Sequence, residues 1–152
     1  MANTSSDLPK MESNPDFKTV QLLELPKVND PRGNLTVIES DVHVPFKVMR
    51  DYWIYDVPSG MWRDGHAFRN QQELIVSLSG SFDVVVNDGN AEQTYHLSRP
   101  QIGLYLPKMT WRHIDNFSTN SVALILSSTL YDANDYIEDF EEYKTLKNET
   151  AE

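Results

Sequence analysis

Cysteine is absent from the 152 residues. That excludes a disulfide framework and any thiol chemistry. No apolar run approaches the length of about 20 residues needed to cross a bilayer, so no membrane partner is expected. The opening "MANTSSDLPKMESNPDF" lacks a basic start followed by an apolar stretch and does not read as a signal peptide. Together with the missing cysteine, this leads us to expect a cytoplasmic protein. There is no Walker-type or dinucleotide glycine motif and no sustained internal repeat. Basic residues are also scarce: 13 Lys and Arg stand against 23 Asp and Glu, a formal charge of −10. That disfavours nucleic acid, whose non-specific binding needs basic surface. It leaves room for a small anionic ligand, because a phosphate responds to local arginines.

What is present is short blocks rich in β-branched and aromatic residues. "TVQLLEL", "MRDYWIYDV", "QELIVSLSG", "SFDVVVNDG", "IGLYLP", "TWRHIDNF" and "VALILSS" are separated by turn signals. "NDGN" at 87–90 predicts a hairpin turn, and "DPRGN" at 30–34 a further turn. Nine to eleven strands at this spacing predict an all-β sandwich or barrel. Residues 1–16 read as a tail, 17–147 as one domain and 148–152 as a second tail. One helix is expected near the end, where Asp135 and Glu138 form a capping box and Ile137, Phe140, Tyr143 and Leu146 share a face.

Residues 60–73 read "GMWRDGHAFRNQQE". Set against the two metal-binding motifs of a double-stranded β-helix of the cupin type, Gly60, His66, Glu73 and Gly80 fit the first, but Phe68 replaces its second histidine. In the second motif Pro107 and Asn116 fit, Met109 replaces glycine, and Arg112 replaces histidine. His113 is offset by one residue, which in a strand sends the side chain to the other face. Two of four ligand positions are therefore lost, and the arginine at one of them would repel a cation. No metal is expected. Each polar residue also has a structural reading: His66 as a bonded interior histidine, His43, His96 and His113 as structural or surface residues, the Tyr52–Tyr55 strand as core, and Arg63 as a surface ion-pair partner.

"DPRGNLTVIE", "FKVMRDYWIYDV", "RDGHAFRNQQELIVSLSGSFDVVVNDG", "IGLYLPKMTWRHIDNFS" and "LILSSTLYDANDYIEDFEEYK" together resemble the nucleotide-sugar 3,4-ketoisomerases. This cupin family acts on dTDP-4-keto-6-deoxyglucose in surface-polysaccharide synthesis. The resemblance spans about residues 18 to 146. It implies a cupin jelly roll with a short C-terminal helix, a homodimer, and a dTDP-linked keto-deoxy sugar as substrate. It carries catalytic roles to Tyr52, Arg63 and His66. Phe68 marks the departure, standing where the family's H-A-H motif has its second histidine. Arg32, Phe68, Glu73, Trp111 and Arg112 are the candidate substrate-binding residues. Moving a ketone from C4 to C3 needs a base near neutral pH and a group that stabilises an oxyanion; imidazole suits the first, arginine or a phenol the second. The reaction requires no redox cofactor and no metal, so no cofactor is expected. The loss of one histidine leaves two alternatives open: a sugar-nucleotide binder without catalysis, or a related epimerase.

Overall fold

The computed structural model describes residues 17–151, and the tail expected over 1–16 lies outside the described residues. The strands are β1 (Gln21–Glu24), β2 (Lys27–Val28), β3 (Leu35–Thr36), β4 (Arg50–Tyr55), β5 (Arg63–Phe68) and β6 (Glu73–Ser79). They continue as β7 (Phe82–Asn87), β8 (Glu92–Leu97), β9 (Ile102–Leu106), β10 (Trp111–Asp115), β11 (Val122–Ser127) and β12 (Tyr136–Ile137), before the helix α1 (Phe140–Ala151).

Two five-stranded sheets carry the fold, in the orders β1-β9-β6-β11-β4 and β12-β5-β10-β7-β8. All ladders in them are antiparallel. The sheets face one another, so the sandwich alternative holds and the all-β jelly roll is the observed class. Between them lies a core of Ile75, Phe82, Val84, Val86, Leu97, Leu104, Leu106, Ile114, Ala123 and Ile125. These residues fall at alternate positions of their strands, the period that puts one set of side chains on one sheet face.

Both outer faces are covered over part of their area. On the first sheet, Leu74, Val76, Tyr105 and Leu126 pack with Leu23, Leu25, Val44 and Phe46. On the second, Ala67 and Ile137 pack with Tyr143 of the helix, flanked by Trp111, Phe140 and Leu146. Because β6 is covered on both sides, it reads as the near-continuous apolar run "LIV" rather than as strict alternation. The motif glycines Gly60 and Gly80 have φ of +79° and +65°, a region that favours glycine.

The C-terminal segment corrects the expected capping box. Asp135 does not cap the helix. Its carboxylate is buried and accepts from the backbone N–H of Asn70 and Gln71 at 2.8 and 3.1 Å. Tyr136 and Ile137 are then extended and pair with Phe68 and Ala67. The cap is Asp139, whose Oδ1 accepts from the Glu142 N–H at 2.8 Å. Phe140, Tyr143 and Leu146 share the apolar face as expected, while Ile137 reaches the same cluster from a strand. The helix runs to Ala151, so residues 148–151 are helical rather than the expected tail.

Asp139→Ala should cost about 1 kcal/mol, the usual worth of an N-cap. Asp135→Ala should cost roughly 3 kcal/mol, because it strips buried amides of their acceptor. Urea unfolding of the two variants measures the difference; the opposite ranking would restore Asp135 as the cap.

Candidate active site

The site is built on inward positions of both sheets. Tyr52 comes from β4 and Glu73 from β6 in the first sheet. His66 comes from β5 and Arg112 from β10 in the second. They line one cavity of about 920 Å³, together with Arg63, Trp62, Trp111 and Tyr136.

Arg63 reaches the cavity through an irregularity. Arg112 stands opposite His66, and Ile114 stands opposite Arg63. Between these pairs β5 advances three residues while β10 advances two, the signature of a bulge. In a regular strand, residues three apart face opposite ways. The extra residue brings Arg63 opposite Ile114, an inward core residue. Sequence alternation alone would have separated Arg63 from His66.

Glu73 is the polar centre, 1% exposed. Its Oε1 accepts from the Tyr52 hydroxyl at 2.6 Å and from the Gln71 amide at 2.6 Å. Its Oε2 accepts from the buried Arg112 guanidinium. Arg112 also donates to the Thr110 carbonyl at 3.0 Å and lies 4.6 Å over the Phe68 ring. Phe68 is fully buried and makes an edge contact with His66 at 4.9 Å. Burial, reinforced by the Glu73 carboxylate, raises the Tyr52 phenol well above its ordinary value. Tyr52 is therefore a proton-bearing hydroxyl, not a phenolate. His66 is half-buried among Phe68, Tyr136 and the cavity.

Two of the expected substrate contacts need correction in this geometry. Phe68 is not a lining residue; it is the platform on which Arg112 rests. Arg32 sits in the turn between β2 and β3, highly exposed and paired with Asp30 at 2.8 Å, and is not among the cavity residues. Arg112 lines the cavity, but its charge is engaged by Glu73, which makes it a poor partner for a pyrophosphate. Trp111 lines the cavity and packs on Phe140 and Tyr143. The bland readings of His43 and His96 hold. His43 Nδ1 accepts from the Glu39 N–H, and His96 pairs with Asp83. His113 lies beside Asp115 and Trp62. In β4, Arg50, Tyr52 and Ile54 share the less exposed face, while Trp53 and Tyr55 are exposed, so the strand is core at alternate positions only.

A transition metal does not fit this donor set. Phe68 and Arg112 occupy two ligand positions, and Glu73 is engaged by three donors. Among the described residues, no group of three or more His, Asp or Glu side chains is placed to hold an ion. What sequence reasoning missed is Gln71. It is buried and hydrogen-bonded to Glu73, but it stands beside Gln72 in a run with nothing to mark one amide from the other.

Two facing antiparallel sheets with a cluster of polar groups on their inward positions make a jelly roll of the cupin class. Within that class, residues 18–148 match the family model described as FdtA: WxcM-like, C-terminal, and the chain belongs to that family. It is 34% identical over 124 residues to the TDP-4-oxo-6-deoxy-alpha-D-glucose-3,4-oxoisomerase of Aneurinibacillus thermoaerophilus, covering 82% of this chain and 89% of the relative. The structure of the WlaRB TDP-quinovose 3,4-ketoisomerase from Campylobacter jejuni is 38% identical. It superposes with a TM-score of 0.81, covering 84% of this chain and 98% of that one. A histidine-to-asparagine mutant of the 3,4-ketoisomerase QdtA from Thermoanaerobacterium thermosaccharolyticum, in complex with TDP-4-keto-6-deoxyglucose, is 28% identical. Its TM-score is 0.84, covering 87% and 96%.

Buried phenols give the fold a pH signature. Tyr52 is raised as above, and burial pushes Tyr105, which donates to Gln72 at 2.6 Å, up to about 12. The unfolded phenols titrate near 10, so above that pH the unfolded chain releases protons that the folded chain keeps. Their contribution is intact below about pH 10 and falls as pH rises toward the folded values. Unfolding free energy should therefore drop from pH 9 to pH 11, and drop less in Tyr105→Phe. Denaturant melts at the two pH values check the sign; a rise would overturn the assignment.

Proposed function

We propose that the chain is a metal-independent isomerase that shifts the ketone of a dTDP-linked 4-keto-6-deoxyhexose from C4 to C3. The observation that carries this is the meeting of Tyr52, Arg63 and His66 on one cavity, in a chain whose family relatives include 3,4-ketoisomerases.

His66 takes the proton from C3 as a neutral imidazole, the side-chain type most often used for general base work. Electron density moves onto the C4 oxygen, giving an enediolate. Arg63, a permanent cation at the cavity, stabilises that oxyanion, and the Tyr52 hydroxyl provides a second donor. The proton on the C3 oxygen is released, the C4 oxygen gains one, and C4 is protonated. Atoms balance, because the product differs from the substrate only in where its hydrogens sit. Glu73 is an unsuitable base here, since its oxygens already accept three hydrogen bonds.

The same reading gives Trp62 and Trp111 to the substrate at the cavity wall and carries a homodimer and a cytoplasmic location. Support for pairing comes from β1, which ends the strand order of the first sheet among the described residues and exposes Leu22; edge strands invite partners.

The reaction is tested with purified protein and TDP-4-keto-6-deoxyglucose in deuterated water. Turnover should place deuterium at sugar C4. His66→Asn should lose about 10³-fold in kcat and Tyr52→Phe about 10²-fold, with both proteins folded. A wild-type protein that neither binds nor converts the sugar would end the proposal, as would a fully active His66→Asn.

A further inference from the structure

The proposed chemistry uses Tyr52, Arg63 and His66 but gives no role to the polar chain behind them. Gln71 is 2% exposed and does not line the cavity. Its amide nitrogen donates to Glu73 Oε1 at 2.6 Å. Its amide oxygen accepts from Arg50 at 3.1 Å and from the Thr129 hydroxyl at 2.7 Å. A guanidinium can only donate. The oxygen of the Gln71 amide must therefore face Arg50, and its nitrogen must face Glu73.

The direction of the whole chain follows. Glu73 acts as acceptor at both oxygens, from Gln71 and Tyr52 on one and from Arg112 on the other. Arg50 also lies over the Tyr52 ring at 5.0 Å. The phenol is thus held twice, its ring by Arg50 and its hydroxyl by Glu73. The backbone of Gln71 is pinned as well, through its N–H to the buried Asp135 carboxylate.

We infer that Gln71 is a positioning residue: held by Arg50 and Thr129, its amide fixes Glu73 as the acceptor that orients the Tyr52 hydroxyl at the cavity. Its effect on turnover rests on the ketoisomerase reading; the orientation of Tyr52 does not. The charged and titratable groups around position 71 are Glu73, Arg50, Tyr52, Asp135 and, through Glu73, Arg112.

Two substitutions test this. Gln71→Met keeps the volume and removes the amide. It should lower kcat about tenfold while KM stays within about threefold, the pattern of a lost transition-state interaction. Gln71→Glu puts a second carboxyl against Glu73. When protonated it donates as the amide does; when ionised it repels Glu73. Its activity should fall as pH rises, on a limb absent from the wild type and from Gln71→Met.

A second readout needs no turnover. In protein labelled at tyrosine Cζ, the Tyr52 carbon resonance, identified by its loss in Tyr52→Phe, should shift in Gln71→Met. Thr129→Val, a milder change, should move it in the same direction by less, which guards against a Gln71 variant that fails to fold. An unmoved Tyr52 resonance in the folded variants overturns the inference. So does activity lost only in proportion to melting temperature, with the pH profile unchanged. A wild type inactive on the keto sugar, with Tyr52 still displaced in Gln71→Met, sinks the reaction and leaves the positioning role standing.

Discussion

The ion pair between Glu73 and Arg112 crosses the interior of the sandwich. Glu73 belongs to the first sheet and Arg112 to the second, and both are almost wholly buried. Burying two charges costs several kcal/mol each, and their attraction offsets this only when the remaining hydrogen-bonding capacity is filled. Here it is. Glu73 receives Tyr52 and Gln71, and Arg112 donates to Thr110. The Phe68 ring supplies the face beneath the guanidinium, an arrangement that gains when water is excluded. By itself the pair is weak grounds for stability. What it provides is a fixed relation between two sheets that apolar packing alone would not specify at this end.

That relation places the groups of the candidate site. Tyr52 is attached to the carboxylate side of the pair and comes from the first sheet. His66 stands opposite Arg112 in the second sheet. Phenol and imidazole therefore reach the cavity from opposite walls, with the ion pair between those walls as the spacer. Farther along the same interior the polar groups give way to Phe82, Val84, Leu97 and Leu104. The cavity lies where the interior turns polar.

The sequence carried the strands well, because alternation, Asp-Gly turns and aromatic blocks are local signals. β7 and β8 meet around "NDGN" with Gly89 at positive φ. The helix face was legible from Phe140, Tyr143 and Leu146, but its cap was not. Asp135 and Asp139 both satisfy the spacing of a capping box, and only the tertiary demand of the Asn70 and Gln71 amides decides between them. The site was legible where motif spacing applied, at His66 and Glu73. Arg63 depended on a bulge that no periodicity shows. Arg32 reads in the sequence only as an arginine available to a phosphate; it is not among the cavity residues, and Asp30, two residues away, is the neighbour it meets.

Phe68 and Arg112 look in the sequence like two independent losses from a metal cage. In the structure they are one arrangement. An arginine placed inside at 112 requires an anion, and Glu73 is the nearest ligand-type residue left. The same arginine requires a surface that makes no demand for a proton or a lone pair, and a phenyl ring provides it. A histidine at 68 would set a second titratable ring against a guanidinium, where like charge disfavours its protonated form. A cation bound to Glu73 would have to displace Arg112 from the same oxygen. Metal cage and ion pair are therefore exclusive solutions for one interior, and the proton transfer proposed for His66 and the fixed phenol is one that asks for no cation at Glu73.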